Sequence, residues 1–256
     1  MAEPTHAHDY WRKDMTRPKS KSSLPPTLPA IDAACACPHC ERAAQVLSTA
    51  HDSANALLKA YDLARLTRGR RGGMTTDNEQ DLLRSMLVMA AAGLDATAKQ
   101  LIQDALQHLL AVDDKARNSF EKFIQRRIVA DASAPTSSGA VKLLAAALAA
   151  PSPQQRLIRE YVQHLTEGSL QSIESLYDVA AALGVEPSLV GLDPAALGPV
   201  FDTRNKIIHE LDINLDARTR TRNVRSQSTM MGYASRLFRL ASALLRSVDQ
   251  RLMRAS

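Results

Sequence analysis

Apolar residues recur at spacings of three and four over most of this chain, which is the repeat of amphipathic helices. From Glu41 to Leu66 the inward positions are Leu47, Ala50, Ala54, Leu57 and Tyr61. Thr76 followed by Glu79 is a capping box, so a second helix starts there. It continues to about Leu110, with Leu83, Met86, Leu87, Ala90, Leu94, Leu101, Ala105 and Leu109 inward. Its length would be roughly 45–50 Å at the helical rise. Arg117 to Ala130, Ala140 to Ala150, Gln154 to Thr166 and Ser169 to Leu183 read as shorter helices, with a loop at Ala134–Gly139. Gly184 to Pro199 is punctuated by Gly and Pro and reads as loop, with at most one helical turn at Pro194–Leu197. A further helix starts near Asp202 or Thr203, either of which can cap it. The last helix runs from Ser226 to about Arg254 and turns Met230, Ala234, Leu237, Ala241, Leu244, Val248 and Leu252 inward. No stretch of useful length alternates as a strand would. The expected fold is all-α, a multi-helix bundle with long antiparallel helices.

Composition adds boundaries. Of the 12 prolines, six fall in residues 1–38, among Lys, Ser and Thr. Residues 1–40 therefore read as a disordered or loosely attached arm, and residues 41–256 as one helical domain. Apolar residues make up 45% of the chain but aromatic residues only 4%, so Ala and Leu must build a closely packed helical interior. The first 30 residues lack an apolar leader, and the strongly apolar run Leu143–Ala150 is too short to cross a bilayer. A cytoplasmic protein with no membrane association is expected.

Charge is uneven. Residues 201–256 carry 11 basic and 5 acidic side chains, whereas the first 200 residues carry 21 and 22. A basic region of this kind suits a polyanion. Beside it lies Arg204-Asn205-Lys206-Ile207-Ile208-His209. On a helix Asn205 and His209, four apart, share a face. Arg204 is about 140° round from His209, and its long side chain can curl back if it lies at the helix start. The bare spacing of Arg and His is not specific: with 23 Arg and 7 His, chance gives about 0.6 matches. A second match, Arg159 to His164, sits in an ordinary amphipathic run. There Glu160 would pair with Arg159 and repel phosphate.

The run at 204 resembles the motif of the HEPN superfamily (higher eukaryotes and prokaryotes nucleotide-binding), whose members carry Arg-Asn/His/Asp-x-x-x-His shortly before a closing helix. The resemblance covers roughly residues 78–256. It implies an all-α fold, a homodimer and, in many members, a metal-independent ribonuclease of a toxin–antitoxin or anti-phage defence system. Other members have lost catalysis and only bind. Arg204, Asn205 and His209 would be the catalytic residues, and Asp95 would match an acidic residue that members often carry on an early core helix. Metal-free RNA cleavage uses the 2′-OH as nucleophile, so the protein need only move protons and stabilise charge. His209 would act as base or acid, Arg204 would hold the phosphate, and Asn205 would orient the imidazole or the scissile group. One chain offers one motif histidine, and a two-fold dimer would supply the second.

Lys206, Arg218, Arg220, Arg222 and Arg225 would contact the RNA backbone, and an inhibitory or regulatory protein partner is possible. No cofactor is expected. The alternative readings are a catalytically silent module of the same kind, binding a nucleotide, RNA or a protein, and a helical DNA-binding protein. Cys35, Cys37 and Cys40 hold every cysteine and have the turn shape of half a zinc site. His6, His8, Asp9 or His51 would complete it, or a second subunit would. Glu210, Asp212 and Asp216 could bind Mg²⁺, although carboxylates beside four arginines are more often ion-paired. His209-Glu210 lacks the second histidine of a metalloprotease helix, because position 213 is Ile. His51, His108 and His164 read as surface or structural histidines.

Overall fold

The computed structural model describes residues 26–69, 74–132, 139–170, 172–216 and 218–255. These form α1 (Glu41–Thr67), α2 (Asp77–Val112), α3 (Asp114–Ala132), α4 (Gly139–Leu148), α5 (Pro153–Thr166), α6 (Ile173–Ala182), α7 (Pro194–Glu210) and α8 (Gln227–Ala255). Two short 3-10 turns, Pro38–Cys40 and Pro187–Val190, precede α1 and α7. Among the described residues the only β pairing is an isolated bridge between Ile213 and Arg222. The fold is an all-α multi-helix bundle. No helix among the described residues is long and apolar enough to cross a membrane.

The long helix α2 is the centre of the bundle and packs against both α1 and α8. Thr76 and Glu79 form the expected capping box, and Glu79 also accepts from Arg68 beyond the end of α1. The α1–α2 approach is close: a Cβ added at Gly93 would stand 2.6 Å from the Ala50 Cβ. Leu47, Ala50, Ala54 and Tyr61 of α1 are buried as their spacing suggests, and only at the fourth position does Leu58 take the inward place instead of Leu57, which is partly exposed. Helices α3, α5 and α6 make a second layer beside the later part of α2.

Two expectations need correction. First, the packed body begins well before residue 41. Leu28, Cys37 and Cys40 are buried. The Leu28 N–H donates to Asn55 Oδ1 and the Pro29 carbonyl lies 3.0 Å from His51 Nε2. The N–H groups of Ala36 and Cys37 both donate to Asp249 Oδ1, at 2.9 and 2.7 Å. These polar anchors hold a proline-rich stretch that has no helical repeat to reveal it. The rest of the expected arm, residues 1–25, lies outside the described residues.

Second, α7 starts at Pro194, not near Asp202. Asp193 caps it by accepting from the Ala195 N–H, and Pro194 occupies the first turn, where no intrahelical N–H is needed. Pro199 sits inside the helix and removes one backbone bond. Leu197, Val200 and Phe201 are all buried around it, so packing outweighs that loss.

Candidate functional site

Helix α7 carries the Arg-Asn-Lys-Ile-Ile-His run into its last two turns. Ile207 is buried, with Thr203 one turn before it, and they fix the helix against the body. Asn205, Lys206 and His209 are exposed. The helix closes at Leu211, which takes a left-handed φ of 51°, and the N–H of Asp212 returns to the Lys206 carbonyl at 2.8 Å. Asn205 and His209 therefore lie on one turn-to-turn face, beside solvent.

Arg204 is not at a helix start, so the expected curling back of a free end does not apply. Its side chain is half-buried. Its Nη1 instead donates to Asn205 Oδ1 at 2.9 Å, which draws the guanidinium toward the Asn205 and His209 side. Burial lowers its pKa, and the nearby Asp95 carboxylate acts in the opposite direction. That carboxylate already accepts from the Leu170 N–H at 2.7 Å and from the Lys99 ammonium at 3.0 Å. Among the described residues Arg204 has no ion pair, and its buried Nε has no hydrogen-bond partner. A half-buried guanidinium with unused donors is prepared for an incoming anion.

The neighbouring cations behave differently. Asp212, 0% exposed, accepts from Arg84 Nε at 2.9 Å and from Arg225 Nη2 at 2.5 Å. Asn223 Nδ2 completes its shell at 3.1 Å. Burial alone would push this carboxyl up, but the hydrogen bonds from Arg225, Arg84 and Asn223 outweigh it and hold the pKa below the usual carboxylate value. Arg84, only 3% exposed, also reaches Asp81 at 2.9 Å and the Asn223 carbonyl at 2.7 Å. Arg222 pairs with Asp81 at 2.7 Å. The side chain of Gln80 exchanges two hydrogen bonds with the Arg225 backbone. This network ties the loop after α7 to α2 and to the start of α8.

The predicted RNA contacts thus divide. Arg222 and Arg225 are structural ion-pair partners. Arg218, Arg220 and Lys206 are exposed and have no ion pair among the described residues. The buried Asp212–Arg84 pair was missed by sequence reasoning. Its signal was Arg84 itself, a charged residue one position from Leu83 and three from Leu87 on an otherwise apolar stripe.

The metal readings find no support in the geometry. Asp212 is enclosed by its arginines while Glu210 and Asp216 are exposed, so the three carboxylates do not converge. Cys40 is fully buried and its thiol pKa is pushed well up by burial, then by Cys37 and Asp249. No group of three His, Cys, Asp or Glu able to hold a metal ion occurs among the described residues. His6, His8 and Asp9 lie outside them. In the second Arg–His match, Glu160 pairs with Arg156 at 2.5 Å rather than with Arg159. His51 is buried, and His108 stacks on His39 with centroids 3.6 Å apart. No family model, curated protein or solved structure matches the chain.

Proposed function

We propose that this protein is a metal-independent endoribonuclease of the HEPN type, acting as a homodimer through Arg204, Asn205 and His209. The observation that carries the reading is the state of Arg204. Arg84, Arg222 and Arg225 each pair with a carboxylate, while among the described residues the one hydrogen-bond partner of Arg204 is the neutral Asn205, with Asp95 acting on it only beyond ion-pair distance. A scissile phosphate would supply the missing charge. His209, exposed four residues beyond Asn205, moves the protons: one from the 2′-OH and one to the leaving 5′-oxygen. The two transfers need two imidazoles or one imidazole used twice, and a second copy provides the other.

The surroundings of His209 favour such a copy. Ile208, Leu211 and Leu215 are exposed apolar side chains within seven residues of one another. A partner that covers them would also exclude water from the reacting phosphate. The acid–base chemistry requires the 2′-OH, so a single-stranded RNA is expected to be cut while the same sequence as DNA is spared. Equal cleavage of both would remove this mechanism. A place in a toxin–antitoxin or defence system, with a restraining protein partner, belongs to the same proposal.

Binding has its own test. Arg218 and Arg220 are free to track phosphates, whereas Arg222 is held by Asp81. Arg218→Ala with Arg220→Ala is expected to weaken RNA binding and to flatten the dependence of log K on log salt by roughly 1.4, at about 0.7 per phosphate contact on a single strand. An unchanged slope in a filter-binding titration would take this loop off the RNA surface.

The silent binding module is the reading to adopt if RNA binds but is never cut.

A further inference from the structure

A cavity of about 430 Å³ opens between α3, α5 and α6, away from the α7 motif. Its wall is aromatic. Phe123 packs on Tyr161 with ring centroids 4.7 Å apart, and His164 lies 5.0 Å from Phe123. His164 is the exposed member, and Arg127 stands over the Phe123 ring at 5.5 Å. Tyr161 is only 4% exposed, and its hydroxyl makes no hydrogen bond among the described residues. Its phenol pKa is raised by burial and then by Asp178, with Arg126 opposing.

The rim is cationic. Lys122, Arg126 and Arg127 all line the cavity, and none is ion-paired among the described residues. Asp178, on the opposite wall, has no ion pair among the described residues either. The cavity therefore asks for three things at once. It offers rings for a planar group to stack on, cations for an anion, and a carboxylate that needs an N–H donor. An acidic peptide would meet the cations but would leave the rings and the Asp178 carboxylate without a partner. A phosphorylated nucleobase with an exocyclic amine meets all three.

We propose that the α3–α5–α6 cavity is a nucleotide-binding site, in which an amine-bearing base stacks on the exposed His164 ring of the aromatic wall and its phosphate is held by Lys122, Arg126 and Arg127. Tyr161 supplies a hydroxyl to the base or sugar, and Asp178 accepts from the amine. The base comes either from a free nucleotide or from one nucleotide of a strand. The site is separate from Arg204 and His209 and does not depend on their role.

The experiment is calorimetric titration of the full-length His209→Ala protein, whose background keeps any strand uncut. The probes are adenosine 5′-monophosphate, its two halves adenosine and ribose 5-phosphate, hexa-adenylate, and a glutamate-rich peptide. Adenosine 5′-monophosphate is expected to bind at least tenfold more tightly than either half. Arg126→Ala with Arg127→Ala should weaken it at least tenfold, and His164→Ala should weaken it measurably. All three side chains are exposed, so thermal melting should not move. Binding of hexa-adenylate alone, lost in the same variants, supports the site with the base supplied by a strand. Ribose 5-phosphate or the peptide binding as tightly as the nucleotide, variants without effect, or no binding of either nucleotide probe at millimolar concentration would each overturn the proposal.

Discussion

Asp212→Asn is expected to destabilise the protein by about 3–5 kcal/mol, the usual effect of removing one partner from a buried ion pair. Asp212 is fully buried and receives hydrogen bonds from Arg84, Arg225 and Asn223. Without its charge, Arg84 keeps only the exposed side of Asp81 and a backbone carbonyl, in a site closed to water. For a domain of this size the melting midpoint should fall by roughly 10 °C. Asp216→Asn, at an exposed position a few residues further on, should leave it unchanged. A midpoint for Asp212→Asn within a degree or two of the parent would mean that the network contributes little.

The same network sets an acid limit. The pKa of Asp212 is lowered in the folded protein, as is that of Asp81, chiefly through Arg222 for the latter. A carboxyl with a depressed folded pKa stabilises the fold fully above its unfolded value, about 3.9. That contribution is lost as the pH falls through the folded value. Stability from these two groups should therefore be level at neutral pH and decline only below about pH 4. Because the loop they anchor follows α7 directly, loss of the network should also loosen the last turn that carries His209.

The second large effect concerns catalysis. His209→Ala is expected to lower RNA cleavage by about 10²–10⁴-fold, the contribution of a positioned acid or base. The side chain is exposed, so thermal melting should not change. Arg204→Ala should lose about 10²–10³-fold, comparable to removing one transition-state donor. Arg204→Lys should recover only part of this, because an ammonium cannot donate as a fork. Arg159→Ala, in the other Arg–His match, should leave cleavage unchanged. Equal losses at Arg159 and Arg204 would show that folding, not chemistry, had been disturbed.

What could be read from the sequence followed from how local each signal is. The cores of α1, α2 and α8 were legible because long apolar stripes repeat within a single helix, and the Thr76–Glu79 cap because it spans four residues. The start of α7 was not. Gly198 and Pro199 read as breakers, and only the burial of Leu197, Val200 and Phe201 against other helices reveals why the helix continues through them. The ordering of residues 26–40 was hidden for a related reason: its anchors, Asn55, His51 and Asp249, lie far along the chain.

The candidate site divides the same way. Asn205 and His209 sharing a face is a consequence of spacing alone. The absence of a carboxylate partner for Arg204 among the described residues, and the capture of Arg222 and Arg225 by Asp81 and Asp212, depend on residues more than ten positions away. Counting basic residues could not separate structural arginines from available ones. Of the expected RNA contacts, Lys206, Arg218 and Arg220 are left exposed and without an ion pair among the described residues.

The most direct test is the product end formed from a single-stranded RNA in excess chelator. Attack by the 2′-OH, with Arg204 and His209 supplying the charge and the proton transfers, needs no divalent cation and leaves a 2′,3′-cyclic phosphate. The account predicts cleavage at an undiminished rate in chelator, cyclic phosphate ends, and activity per molecule that falls as dilution separates the dimer. Cleavage that stops in chelator and leaves a 3′-hydroxyl would contradict it.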